Sequence, residues 1–474
     1  MRHGLCVLSI LAALCLSLSN PVAGQDANAT VADQWEEFVH YVLIAKPDLA
    51  LAHGQVLLDQ ASKPELLDAV EASRHAETYS GTLRRAQGME TLRDLANKLA
   101  RKIQDARLER AREPERLRQD IQKLAQGERP RKLALERLRT AGQFAASELL
   151  RTLQNDEESK LHSYVLGAMV SLGRDMVYPL SVALEQLEPV QMGQVATVLG
   201  EIGYPRSLPY LKRVMENEKV DAHAKSLVAK AFAQIARKQD LPADITAARL
   251  FMVLGNNFYT AATHGDRILP GLDQLDNKGV IWYYNPEAGQ VSDPLFFRKV
   301  PKAIFGDVLA HRAARDAMIL QPDLDRALSL WLMSNLRREN RLAGGEDSTY
   351  PKNWQPAIFY AYAANPLRAH DVLERALTDG DSDLARDAIN ALSHNAGTKE
   401  MINAKGAIQP MLRSLGYPDR RVRYESAAAL TNNRPKAAFP GSYRVVPVLA
   451  EAVRQTATRY ALVIASDDAR KGMS

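Results

Sequence analysis

One pattern restricts the fold of this chain more than any other: a helix, a glycine turn and a second helix, repeated at a fixed offset. Leu172-Gly173 is followed by Pro179-Leu180, and 30 residues later Ile202-Gly203 is followed by Pro209-Tyr210. Ala141-Gly142 with Leu149-Leu150 is a weaker copy upstream. A single helix pair cannot bury its apolar stripe, whereas stacked pairs join their stripes into a continuous core. Gly173 and Gly203 suit the sharp turn inside each pair. Pro179 and Pro209 are expected at the start of the second helix, where a missing N–H costs nothing.

A second block of the same kind is expected near the C-terminus. There Ala391-Leu392 precedes Gln409-Pro410-Met411-Leu412, and Ala429-Leu430 precedes Val446-Pro447-Val448-Leu449. Pro410 and Pro447 stand 37 residues apart. Composition agrees with a helical chain. Hydrophobic residues make up 46% and charged residues 25%, but aromatics only 6%. The apolar content rests on Leu, Ala and Val, of which Leu and Ala favour helix.

Between the blocks the pattern changes. Val280-Ile281-Trp282-Tyr283-Tyr284 is β-branched and aromatic, Asn285 to Gly289 is a turn, and Pro294-Leu295-Phe296-Phe297 follows. This predicts a short β-hairpin inserted in a helical chain, with Pro294 holding the second arm to an edge. Alternation sends Trp282 and Tyr284 to one face and Tyr283 to the other, so one face can pack and the other can meet a partner. Trp282, Tyr283, Tyr284, Phe296 and Phe297 are therefore the candidate partner-binding residues, because aromatics give large contact area at low entropic cost. Helical periodicity resumes at Pro301, and residues 341–356, with Gly344-Gly345, Pro351 and Pro356, read as a loop.

The N-terminus reads as a secretory signal. Arg2 precedes an uncharged apolar stretch from Leu5 to Leu18, and Val22-Ala23-Gly24 offers small residues before a cut at Gln25. Both cysteines, Cys6 and Cys15, fall within it, so the mature chain would hold no disulfide and no thiolate site. No later run is long and apolar enough to cross a bilayer.

Residues 33–80 read as two or three helices. Residues 81–139 carry 17 Lys and Arg against 9 Asp and Glu. Narrow apolar stripes (Leu92, Leu95, Leu99, Ile103, then Leu117, Ile121, Leu124) predict two long charged helices in a hairpin, broken at Pro114. Interleaved acids and the lack of stacking aromatics favour a solvated, ion-paired face over a nucleic-acid surface. Binding of an anionic polymer or membrane surface through residues 84–139 is the alternative.

No catalytic constellation is legible. The ten histidines are scattered, with no helical pair to hold zinc. No phosphate-binding loop and no nucleophile elbow is present. Asp379-Gly380-Asp381-Ser382-Asp383 lacks the terminal Glu of a calcium loop and is expected to cap a helix instead. No metal and no cofactor is expected.

The segments Met169 to Leu184 and Leu199 to Met215 resemble the HEAT-repeat family, and Asp419 to Ala427 is similar to the start of a HEAT helix. Ala310, Ala314, Ala317 and Gln321-Pro322-Asp323 resemble the second helix of a TPR unit. The tail Tyr460 to Asp468 is similar to the opening strand and acid pair of a receiver domain, too short to imply a function. Together these features resemble exported bacterial HEAT-repeat proteins. The resemblance implies an all-α solenoid (HEAT/armadillo-like, with a TPR-like segment and a small β-hairpin). The expected divisions are a signal peptide (1–24), an N-terminal helical region with the charged hairpin (25–129), a HEAT-like block (130–250), an insert (251–345), a second HEAT-like block (346–458) and a tail (459–474). Such a chain is expected to be a non-enzymatic scaffold of the periplasm or cell envelope that binds a protein or peptide on its concave face.

Overall fold

The computed structural model describes residues 29–264, 269, 271–287, 294–342, 344–402, 409–439 and 441–454. The expected signal peptide, the tail and part of the hairpin turn lie outside the described residues. The chain is mostly helical, with one antiparallel pair of strands, and it divides into two units between Glu113 and Pro114.

The first unit is built from α1 (Val31–Leu43), α2 (Pro47–Asp59), α3 (Lys63–Ala72), α4 (Tyr79–Gln87) and α5 (Arg93–Ala111). Local signals set these boundaries. Thr30 and Asp33 form a reciprocal capping box at the start of α1, and Ser62 and Glu65 form another at the start of α3. Pro47 occupies the first turn of α2. Trp35, Phe38, Val39 and Val42, at helical spacing, are fully buried against Leu57, Leu66, Leu67 and the α5 stripe of Leu95, Leu99 and Ile103. Lys102 Nζ donates to the carbonyls of Leu57 and Leu58 at 3.2 and 2.8 Å, satisfying acceptors left over at the end of α2.

The second unit opens with α6 (Pro114–Lys123), α7 (Glu128–Ala141), α8 (Ala146–Gln154), α9 (Ser159–Leu172) and α10 (Arg174–Ala183). It continues through α11 (Pro189–Ile202), α12 (Leu208–Glu216), α13 (Ala222–Ala236) and α14 (Ala247–His264). Each of these packs on the next helix or the next but one, as α9 does on α11, α11 on α13 and α12 on α14. Gly203 ends α11 in the left-handed conformation, φ 70° and ψ 25°, its N–H bonded to Leu199 O at 3.0 Å.

Two expectations need correction. Pro209 does lie in the first turn of α12, but Pro179 lies well inside α10, because that helix starts directly after Gly173. The glycine, not the proline, sets the boundary. The charged stretch 81–139 is also not one hairpin. The α5 stripe is buried with α2 to α4 in the first unit, while Leu117, Ile121 and Leu124 on and beyond α6 belong to the second, where α6 packs on α7. The two compact units meet in sequence at Glu113 and Pro114, inside that charged stretch.

After α14 come β1 (Gly279–Tyr284) and β2 (Leu295–Val300), paired with Gly279 opposite Val300 and Trp282 opposite Phe297. Only glycine fits at 279, since a Cβ there would lie 2.1 Å from the Phe305 ring. Then follow α15 (Lys302–Leu320), α16 (Asp325–Leu342), α17 (Ala357–Ala363), α18 (Pro366–Asp379) and α19 (Ser382–Asn395). The short α20 (Thr398–Ile402) and α21 (Pro410–Ser414) precede α22 (Arg420–Asn432) and α23 (Val445–Arg454). Asp381 and Asp419 cap α19 and α22 by accepting from Leu384 N and Arg421 N. One apolar core runs from Phe251 on α14, through Ile281, Phe305 and Leu330, to Val448 on α23. The hairpin is therefore packed into the helical array.

Candidate functional site

The two faces of the hairpin have different fates. Trp282 is fully buried, and its Nε1 donates to Gln143 Oε1 at 2.8 Å. It packs with Phe144 and with Phe297, its cross-strand partner, at ring distances of 6.4 and 5.2 Å. Tyr284 OH accepts from Gln154 Nε2 at 2.9 Å, and Ser147 Oγ donates to Leu295 O at 2.8 Å. This face is thus pinned to residues 143–154, and Trp282 and Tyr284 serve the fold. Phe297 remains 39% exposed at the rim.

The other face carries Tyr283, half-buried and stacked on Phe296 with ring centroids 5.5 Å apart. Two guanidinium groups lie over the Tyr283 ring, Arg312 at 4.3 Å and Arg298 at 5.6 Å. Tyr283 forms one wall of a pocket of about 220 Å³. β2 adds Arg298, α15 adds Val308, His311, Arg312 and Arg315, α16 adds Arg338, and the loop 344–356 adds Asp347, Thr349, Tyr350, Pro351 and Trp354.

Helix geometry explains the convergence. Residues 308, 311, 312 and 315 follow the i, i+3, i+4, i+7 spacing that places them on one face of α15. The loop is held over that face by side-chain bonds. Arg298 Nη1 donates to Ser348 O at 2.8 Å and Ser348 Oγ to Lys299 O at 2.9 Å. Arg338 Nη1 donates to Asp347 Oδ2 at 3.1 Å, with its guanidinium 3.8 Å from the Tyr350 ring centre. Tyr350 and Trp354 meet edge to face at 5.4 Å.

Four arginines thus face one aspartate around a partly apolar pocket. Arg338 is committed to Asp347, Asn335 and Glu339. Arg312 gives Nη2 to Trp282 O at 3.1 Å, and its buried Nη1 has no hydrogen-bond partner among the described residues. Arg315, 45% exposed along its side chain, has a 4.0 Å contact to Asp316. His311 is buried against Trp331, 4.8 Å between ring centres, and its Nε2 lacks a hydrogen-bond partner. Burial, reinforced by Arg338, Arg315 and Arg312, holds the imidazole down to about 3, so it is neutral at ordinary pH.

Of the five residues read as partner-binding, Tyr283 lines this pocket, and the sequence reading did not single out the arginines, His311, Tyr350 or Trp354 that line it with Tyr283. The signal that could have found them is the stripe 308, 311, 312, 315 on a helix following an aromatic hairpin. Several basic residues of 84–139, by contrast, hold partners within their own unit. Arg110 pairs with Asp68 and Glu71, Arg118 with Glu148, and Arg137 with Asp120, while Arg107 lies over Tyr79. Comparison with known families, with curated proteins and with solved structures finds no match to this chain.

Proposed function

We propose that this chain is a non-enzymatic interaction scaffold of the HEAT- and TPR-like solenoid class, exported to the cell envelope, and that the pocket between the hairpin and α15 captures a protein partner. The observation that carries this reading is the convergence of four arginines and three aromatics on one small pocket with donors left unmet. Arginine and aromatic side chains are the residues most enriched at binding hot spots. A pocket near 220 Å³ is smaller than the roughly 300–1,000 Å³ that encloses a whole small-molecule ligand, so it suits one anchoring group of a larger partner. The lining brings no nucleophile together with a base: its histidine is buried and held neutral, and its aspartate is paired with Arg338. The apolar stretch from Leu5 to Leu18 ahead of Val22-Ala23-Gly24 supports export. An anionic polymer held by residues 84–139 has less support, because many of those cations are already partnered.

A photocrosslinking residue at position 351, on the exposed rim, tests the reading in cells. Discrete protein adducts are expected from position 351 and not from position 190, an exposed site on α11. Equal labelling at both sites, or no adduct at 351, would count against it.

A further inference from the structure

The same pocket limits the chemistry of what it accepts. Counting donors decides between anions. Arg338 is committed, and Arg298 and Arg312 each spend one nitrogen on a backbone carbonyl. The exposed guanidinium edges left for a ligand are those of Arg315 and Arg298, while Arg312 Nη1 and His311 Nε2, unpaired among the described residues, are buried in the pocket wall. Two guanidinium edges match the two oxygens of a planar carboxylate, whereas a phosphoryl group presents three strongly accepting oxygens and up to two charges. The walls add a second restriction, because Val308, Tyr283, Tyr350 and Trp354 offer apolar surface that a bare anion cannot cover.

We infer that the pocket takes a carboxylate carried beside an apolar or aromatic group by a partner polypeptide. This rests on the reading of the chain as an interaction protein. The carboxylate lies against the exposed edges of Arg315 and Arg298, and its apolar neighbour lies against Trp354 and Tyr350. Two sources supply this chemistry: a free C-terminal carboxylate, and an Asp or Glu side chain next to an aromatic residue.

Four probes separate these on the full chain by saturation-transfer NMR titration. They are N-acetyl-Gly-Phe, its amide, the capped tripeptide acetyl-Phe-Asp-Phe-amide, and phenyl phosphate. Ligands of this size are expected to bind with Kd in about the millimolar range. N-acetyl-Gly-Phe or the Asp tripeptide should bind at least about tenfold tighter than the amide, and the stronger of the two identifies the source. Arg315→Gln, at an exposed position, should remove that preference while the protein keeps its melting temperature. Equal binding of acid and amide, no binding of either carboxylate probe, tighter binding of phenyl phosphate, or an unchanged preference in Arg315→Gln would each overturn the inference. Crosslinked adducts at position 351 without carboxylate binding would sink this inference and leave the interaction reading standing. Carboxylate binding without adducts would leave the carboxylate chemistry of the pocket standing and overturn the protein partner as its carrier.

Discussion

Helices α15 and α16 carry two arginine clusters on different faces, and the two are built on opposite principles. In the first, Arg337 is almost wholly buried. Its Nε donates to Asp307 Oδ1 at 2.6 Å, its Nη2 to Tyr259 O at 2.8 Å and its Nη1 to Thr263 Oγ1, and its guanidinium lies 3.4 Å from the Tyr259 ring centre. Arg341 supplies Asp307 Oδ2 from 3.3 Å. Two guanidinium groups share the Asp307 carboxylate, one on each oxygen, and each guanidinium nitrogen of Arg337 is used. In the second cluster, around His311, four arginines line a pocket whose one acidic lining residue is Asp347, and Arg312 Nη1 and His311 Nε2 have no hydrogen-bond partner among the described residues. A saturated cluster ties helices together. An unsaturated one holds binding capacity in reserve, and this difference tells a structural arginine from a recognition arginine.

The largest effect should come from breaking the saturated cluster. Asp307→Ala leaves Arg337 buried without its counter-ion, and such losses cost about 3–5 kcal/mol. Urea unfolding of the variant should show that drop with little change in slope. A loss within the error of the measurement would mean the two clusters are not different in kind.

The next effect is a pH dependence that belongs to the unsaturated side. His311 is held down to about 3 in the folded protein, against 6.5 when exposed. Below pH 6.5 the unfolded chain binds a proton that the folded state refuses, so stability falls with pH until about 3. One such group adds about 1.4 kcal/mol per pH unit to the slope. Between pH 6 and 4 the wild type should therefore lose stability more steeply than His311→Phe by about that amount. Parallel curves would show that His311 is not held neutral.

A smaller change tests the hairpin, where the packed face contrasts with the pocket face. Trp282→Phe removes the Nε1 bond to Gln143, strands its amide oxygen and shrinks a fully buried ring, and the stranded acceptor alone costs about 1–3 kcal/mol. Tyr283→Phe, which keeps the ring beneath Arg312, should change stability less than Trp282→Phe. The reverse order would mean that the burial of the two faces has been misassigned.

Much of the helical array was legible because its boundaries are set by local chemistry. Gly203, Pro209 and Asp381 each act within a few residues of where they stand. The hairpin was legible from its β-branched and aromatic run. Two readings failed where local cues competed or where packing decided. At Pro179 the preceding glycine started the helix earlier. In residues 81–139 the two apolar stripes matched a hairpin equally well, but they joined different cores. The pocket was the least legible part. Its lining comes from two strands, two helices and a loop between residues 283 and 354, and its meaning lies in hydrogen bonds left unmade, which no sequence pattern records.

The most direct measurement is the unfolding free energy of Arg315→Gln and Arg298→Gln, singly and together, set beside that of Asp307→Ala. Arg315 is exposed along the pocket and its contact to Asp316 is a long 4.0 Å, so its substitution should stay within about 0.5 kcal/mol of the wild type, whereas Arg298→Gln also removes the bond to Ser348 O and should cost somewhat more. A loss in Arg315→Gln approaching that of Asp307→Ala would show that this arginine supports the fold, and the distinction between the two clusters would fail.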